Sequence, residues 1–217
     1  MDTVFELLTG TGLAASSGLN AWIPLLTVGL LARYTDLVTL PASWDWIGDG
    51  WVLAGFGLLL AIEFFADKIP GVDSLNDLVH TAIRPTSGGI VFAAGSAAET
   101  AAISDPGALF EDRGWVPIVA GMVIALIVHA LKAAIRPVLN ALTGCLGGPV
   151  ASTVEDATSV AMSVVALLVP ILVIGFLAGL VILSWWGLRR RARRKRERRA
   201  LRAGGSPRYR SPAPPRS

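Results

Sequence analysis

Glu63 and Asp67 stand four residues apart in an apolar stretch, a spacing that stacks both carboxylates on one face of a helix. His129, Lys132 and Arg136 follow one another at intervals of three and four and make one basic stripe. Asp73, Asp77, His80 and Arg84 fall at i, i+4, i+7 and i+11, a single polar line. Carboxylates and imidazoles exchange protons and attract cations; the ammonium and guanidinium groups balance that charge or hold an anion. The opposed stripes predict direct pairing of Glu63 and Asp67 with Lys132 and Arg136. Glu155 and Asp156 precede the last apolar run, where carboxylates favour a helix N-terminus. Asn20 and Asn140 are polar interruptions of apolar surroundings.

Each of these groups also has a structural reading. Glu63 and Asp67 can hold two helices in register as an ion pair. Arg136 fits a positive-inside mark, and each histidine fits a helix-to-helix hydrogen bond. Ser16, Ser17 and Gly18 read first as close-packing residues. The number of ionisable groups, however, exceeds what two or three structural pairs require. Glu63 and Asp67 are the candidate metal ligands, with oxygen donors that suit Mg, Mn or Ca better than Zn. A cation site needs an uncompensated negative centre, which the basic stripe would remove.

Other chemistry is poorly represented. The one cysteine, Cys145, excludes an internal disulfide framework and a multi-cysteine metal site. There is no phosphate-binding glycine loop, dinucleotide fingerprint or nucleophile elbow. Asp73, Asp77 and His80 have acid–base character but no nucleophile beside them, so no enzyme and no cofactor is expected.

These side chains must be positioned by elements of a membrane protein. Residues 1–188 carry a net charge of −9 and residues 189–217 carry +12, which together give the overall +3. Ala157 to Leu188 contains no ionisable side chain. At about 1.5 Å per residue that stretch exceeds a hydrocarbon core of roughly 30 Å. The arginine-rich run from Arg189 to Arg202 resists translocation and prefers an anionic cytoplasmic leaflet. Two domains are expected: a transmembrane helical domain over 1–188 and a basic, largely disordered cytoplasmic tail over 189–217. The run also fits extension of the last helix as far as Gly204–Gly205. Nucleic-acid binding is the weaker reading of the tail, since its place after a span already explains it.

The loops set the topology. Asp36, Asp45 and Asp49 outweigh Arg33 between Arg33 and Gly50, and Trp44, Trp46 and Trp51 give an interfacial belt there. Glu99, Asp105, Glu111 and Asp112 likewise outweigh Arg113. Both connections therefore face outward. Full spans are expected at Val4–Ala32, Trp51–Ala66, Trp115–Ala134 and Ser159–Leu188. Continuity then forces Leu75–Ala98 and Val138–Thr153 to cross as well, although both are interrupted by glycine and proline. Such segments persist where protein or a wet cavity surrounds them, as in carriers with discontinuous helices. The expected fold is an all-α polytopic membrane protein of about six membrane segments. Both termini are expected in the cytoplasm and the first segment, led by Asp2 and Glu6, is expected to be retained. A three-plus-three inverted repeat stays open: Val79-His80 with Ala82-Ile83-Arg84-Pro85 echoes Val128-His129 with Ala134-Ile135-Arg136-Pro137, but not at equivalent positions.

Three stretches resemble a known family. They are Gly12-Leu-Ala-Ala-Ser-Ser-Gly-Leu-Asn-Ala-Trp-Ile-Pro-Leu-Leu26, Glu63-Phe-Phe-Ala-Asp-Lys-Ile-Pro-Gly-Val-Asp73, and Lys132-Ala-Ala-Ile-Arg-Pro137 with Gly147-Gly-Pro-Val-Ala-Ser-Thr-Val-Glu-Asp156. Together they resemble the bacterial membrane proteins of domain of unknown function 4126, over roughly Glu6 to Pro170. The resemblance implies a bacterial cytoplasmic membrane and brings no substrate with it.

The expected function is a small transporter or channel-like protein that moves a cation- or proton-coupled solute along the charged seam. The alternative is a membrane scaffold or a lipid- or partner-binding protein whose buried charges are structural. Expected partners are membrane lipids, with acidic headgroups on Arg189–Arg202, and a second copy of the chain.

Overall fold

The computed structural model describes residues 2–67, 72–100, 114–143 and 147–204. Seven α-helices occupy them: α1 (Asp2–Leu19), α2 (Trp22–Tyr34), α3 (Gly50–Ala66), α4 (Val72–Ser96), α5 (Trp115–Thr143), α6 (Gly147–Leu168) and α7 (Leu172–Gly204). Two short strands, β1 (Val38–Thr39) and β2 (Glu99–Thr100), pair antiparallel and join the two acidic connections at one end of the bundle. The all-helical expectation holds. Trp115–Ala134 and Pro149–Leu168 are long and apolar enough to cross a membrane, whereas α2, α3 and Leu172–Leu183 are shorter apolar helices.

Helix α1 is the centre of the bundle. Its small residues let neighbouring backbones approach closely: Gly12 faces Ala166 and Val173, and Gly18 faces Ala125 and Val128. Ser16 shares hydrogen bonds with the hydroxyls of Ser159 (2.7 Å) and Ser163 (2.7 Å) on α6. Thr9 donates to the carbonyl of Ala166. The order of these contacts, 9 with 166, 16 with 159 and 20 with 156, makes α1 and α6 antiparallel. Leu13 against Gly95 and Ser17 against Ser87 make α1 antiparallel to α4 in the same way.

Three expected segments are corrected. Val4–Ala32 is not one helix: it breaks at Asn20–Ala21, and α2 packs on α3 and α6 and leads back to β1, whose partner β2 follows the end of α4 that lies beside Leu13. Asn20 causes the break: its Oδ1 accepts from the backbone N–H of Trp22 (3.0 Å) and Ile23 (3.2 Å), capping α2. Val138–Thr153 is not a separate segment; its first residues end α5 and its last ones begin α6. Ser159–Leu188 is divided at Val169–Ile171, where Pro170 lacks the N–H that a continuing helix needs. The basic run continues α7 as helix to Gly204, the extension of the last helix that the sequence allows. Lys68, Cys145, the acidic stretch 101–113 and the tail 205–217 lie outside the described residues.

Leu75–Ala98 behaves as expected in being helical, and Pro85 sits inside α4 without ending it. Its Gly88 and Gly89 lie against the backbone of Gly121 and Ile118 on α5, so these glycines serve close helix packing. Helix α3 stands apart, with Leu53 and Glu63 as its buried residues.

Candidate functional site

The turn at Asn20 lies beside Ser87, Lys132 and Asp156, positions near the middle of α4, α5 and α6. Around this level the charged side chains meet. Arg84, fully buried on α4, donates through Nη2 to Glu63 Oε1 of α3 at 2.9 Å. Its Nη1 lies 2.8 Å from His129 Nδ1 of α5. A guanidinium only donates, so Nδ1 accepts and a neutral His129 carries its proton on Nε2. That nitrogen is 3.2 Å from Thr81 Oγ1, the acceptor which completes the chain. His80 brings Nδ1 to within 3.6 Å of Glu63 Oε1, and its ring meets Trp22 edge-on.

A second cluster fastens the helix break. Lys132 Nζ donates to the carbonyl of Leu19 (3.1 Å), the last residue of α1, and lies 2.8 Å from Glu155 Oε2 of α6. A cation at a helix C-terminus is favoured by the unsatisfied carbonyls there. On the other side of the break, Asn20 Nδ2 donates to Asp156 Oδ1 at 2.9 Å. Glu155 and Asp156 therefore do not stand ahead of a final helix. They sit inside α6 and hold the two ends of the interruption in α1–α2.

Asp67 closes the C-terminal end of α3. Its Oδ1 accepts from Asn76 Nδ2 at 2.7 Å and its Oδ2 from Ser152 Oγ at 3.3 Å. For Glu63 and Lys132 the contacts differ from the expected pairing, and the side chain of Arg136 lies outside the described residues. Glu63 takes Arg84, and Lys132 takes Glu155. The physical reason lies in the fold: α4 and α6 are wedged beside these residues and offer nearer partners than the facing stripe. Glu63 and Asp67 take different hydrogen-bond partners. Among the described residues no group of three or more histidine, cysteine or carboxylate side chains is placed to hold a metal ion. Asp73 and Asp77 on α4, and Arg136 and Asn140 on α5, share those helices, but their side chains lie outside the described residues.

Several members were not singled out from the sequence. Thr81 and Asn76 lie next to predicted site residues on α4, and Ser152 lies one turn before Glu155 and Asp156. Glu6 is buried inside α1, although its position suggested only a charge near the N-terminus. Polar residues at helical spacing from a known site residue were the available signal. Glu63 Oε2 is among the buried side-chain atoms that have no hydrogen-bond partner among the described residues. A buried carboxylate oxygen in that state favours a proton or an incoming cation.

The chain belongs to the family described as domain of unknown function (DUF4126), whose model matches residues 7–190. No curated protein and no solved structure matches it.

Proposed function

We propose that this protein is a small carrier or channel-like protein of the cytoplasmic membrane, which moves a solute coupled to a proton or cation. The open Oε2 of Glu63, deep in the bundle beside Arg84, is the observation that carries this reading. Glu63 is the exchanging group. Arg84 holds the carboxylate in place through Oε1 and leaves Oε2 for the proton or cation. The neighbouring histidines provide groups able to pass a proton on. The break between α1 and α2 supports the reading too, because interrupted helices at mid-bundle are how carriers expose backbone to a central site.

The membrane arrangement follows from the acidic connections and the basic run. Six segments remain, composed differently from the sequence expectation: an α1–α2 hairpin, then α3, α4, α5, α6 and α7. Positive-inside orientation puts Arg189–Arg202 in the cytoplasm, next to acidic lipid headgroups. The hairpin enters and leaves on the outer side, since Thr9 neighbours Gly95 while α2 leads into β1. In this arrangement the N-terminus is outside, and a three-plus-three inverted repeat is not retained because the first segment does not cross.

A flux screen over cations, protons and small anions in proteoliposomes tests the proposal. Glu63→Gln is expected to abolish the coupled flux while the protein remains folded; unchanged flux removes Glu63 from the pathway. A second reading is favoured by the pairing of Arg84 with Glu63 and Lys132 with Glu155: a membrane scaffold whose charges hold helices together. It predicts no solute movement by the wild type under any gradient.

A further inference from the structure

We propose that the bundle end where α2 meets the Asp45–Gly48 turn binds an amine-bearing phospholipid, with the head in an acidic cleft and one acyl chain in an adjoining apolar crevice. This inference does not rest on the transport reading. Two cavities adjoin there, and Trp46 lines both. The first, of about 570 Å³, is bordered by Arg33, Asp36, Asp45 and Asp49. The second, of about 340 Å³, runs between α2, α3 and α4 and is bordered by Trp22, Phe56, Ala82, Ile83 and Ile90. Both volumes fall in the range of roughly 300–1,000 Å³ typical of ligand sites.

The chemistry of the two cavities differs as the two ends of a lipid differ. Three carboxylates against one guanidinium leave the cleft negative, which suits an ammonium group and disfavours a purely anionic head. Arg33 is fixed at its wall by donating Nη1 to the carbonyl of Gly48 at 2.8 Å, so a cation for the lipid phosphate is already in place. The crevice offers an aliphatic and aromatic lining, in which Trp22 and Phe56 are a stacked pair 6.0 Å apart. An indole at the junction of a polar and an apolar compartment matches the preference of tryptophan for the headgroup level.

The test uses the purified full-length chain in detergent, offered phosphatidylethanolamine or phosphatidylglycerol with identical chains, and reads lipid retained by native mass spectrometry. Wild type is expected to keep phosphatidylethanolamine at one molecule per chain in severalfold preference. Ala82→Phe, which fills the crevice from an exposed position on α4, is expected to lose the retained lipid. Asp36→Asn/Asp45→Asn, on the exposed connection, is expected to keep a lipid but lose the headgroup preference. Equal retention of both lipids by wild type, as for general annular lipid, overturns the proposal. So does an unchanged preference in the aspartate double variant, which stays informative if Ala82→Phe does not fold.

Discussion

Glu63 Oε1 and Arg84 Nη2 meet at 2.9 Å with both residues buried, 2% and 0% exposed, and they link the outlying helix α3 to the bundle. Removing one partner of a buried ion pair leaves the other charge without compensation and costs about 3–5 kcal/mol. Arg84→Met is therefore expected to lower unfolding stability in detergent by that order. Glu63→Gln in the same chain should restore part of the loss. Additive losses in the double variant would show that the two side chains do not act as a pair.

Asn20 has two tasks that substitution can separate. Asn20→Ala removes the cap of α2 and should cost about 0.5–2 kcal/mol. Asn20→Asp keeps the capping oxygen but replaces the amide donor with a carboxylate facing Asp156. Like charges at that contact should make it the more damaging change, read as the lower unfolding temperature. The reverse order would mean that the contact with Asp156 contributes little.

Gly121 and Gly88 pack backbone to backbone between α5 and α4, and a Cβ on Gly121 would collide with the carbonyl of Gly88. Overpacking of this kind costs about 1–3 kcal/mol. Gly121→Ala should destabilise the protein, whereas Gly179→Ala, with open space around it, should leave the unfolding temperature unchanged. Equal effects at both positions would contradict this packing.

In the proposed membrane arrangement the α1–α2 hairpin puts the two termini on opposite sides. A cysteine introduced at Thr3 should react with an impermeant thiol reagent in intact cells, and one at Ala203 should react only after permeabilisation. Protection of Thr3→Cys in intact cells would restore the cytoplasmic N-terminus expected from a single first span.

Much of the helical architecture was legible in the sequence because apolar runs and charge asymmetry are local properties. The site was legible as a set of residues rather than as pairs. Spacing places Lys132 and His129 on one face of α5, but it says nothing of which helix stands opposite. Spacing therefore suggests Glu63 with Lys132, where the fold supplies Arg84 to Glu63 and Glu155 to Lys132. The reversal at Asn20 was missed for a similar reason. A single capping asparagine in an apolar run reads as a polar interruption, and only the pairing of β1 with β2, next to the end of α4 that lies beside Leu13, shows that the chain turns back.

The open oxygen of Glu63 is most directly tested by following internal pH in proteoliposomes loaded with a pH-sensitive dye, under gradients of candidate cations and small anions. Wild-type protein is expected to move protons with at least one solute, and Glu63→Gln, folded and reconstituted to the same density, is expected not to. Proton movement by Glu63→Gln equal to wild type, or none by wild type under any gradient, would contradict the account.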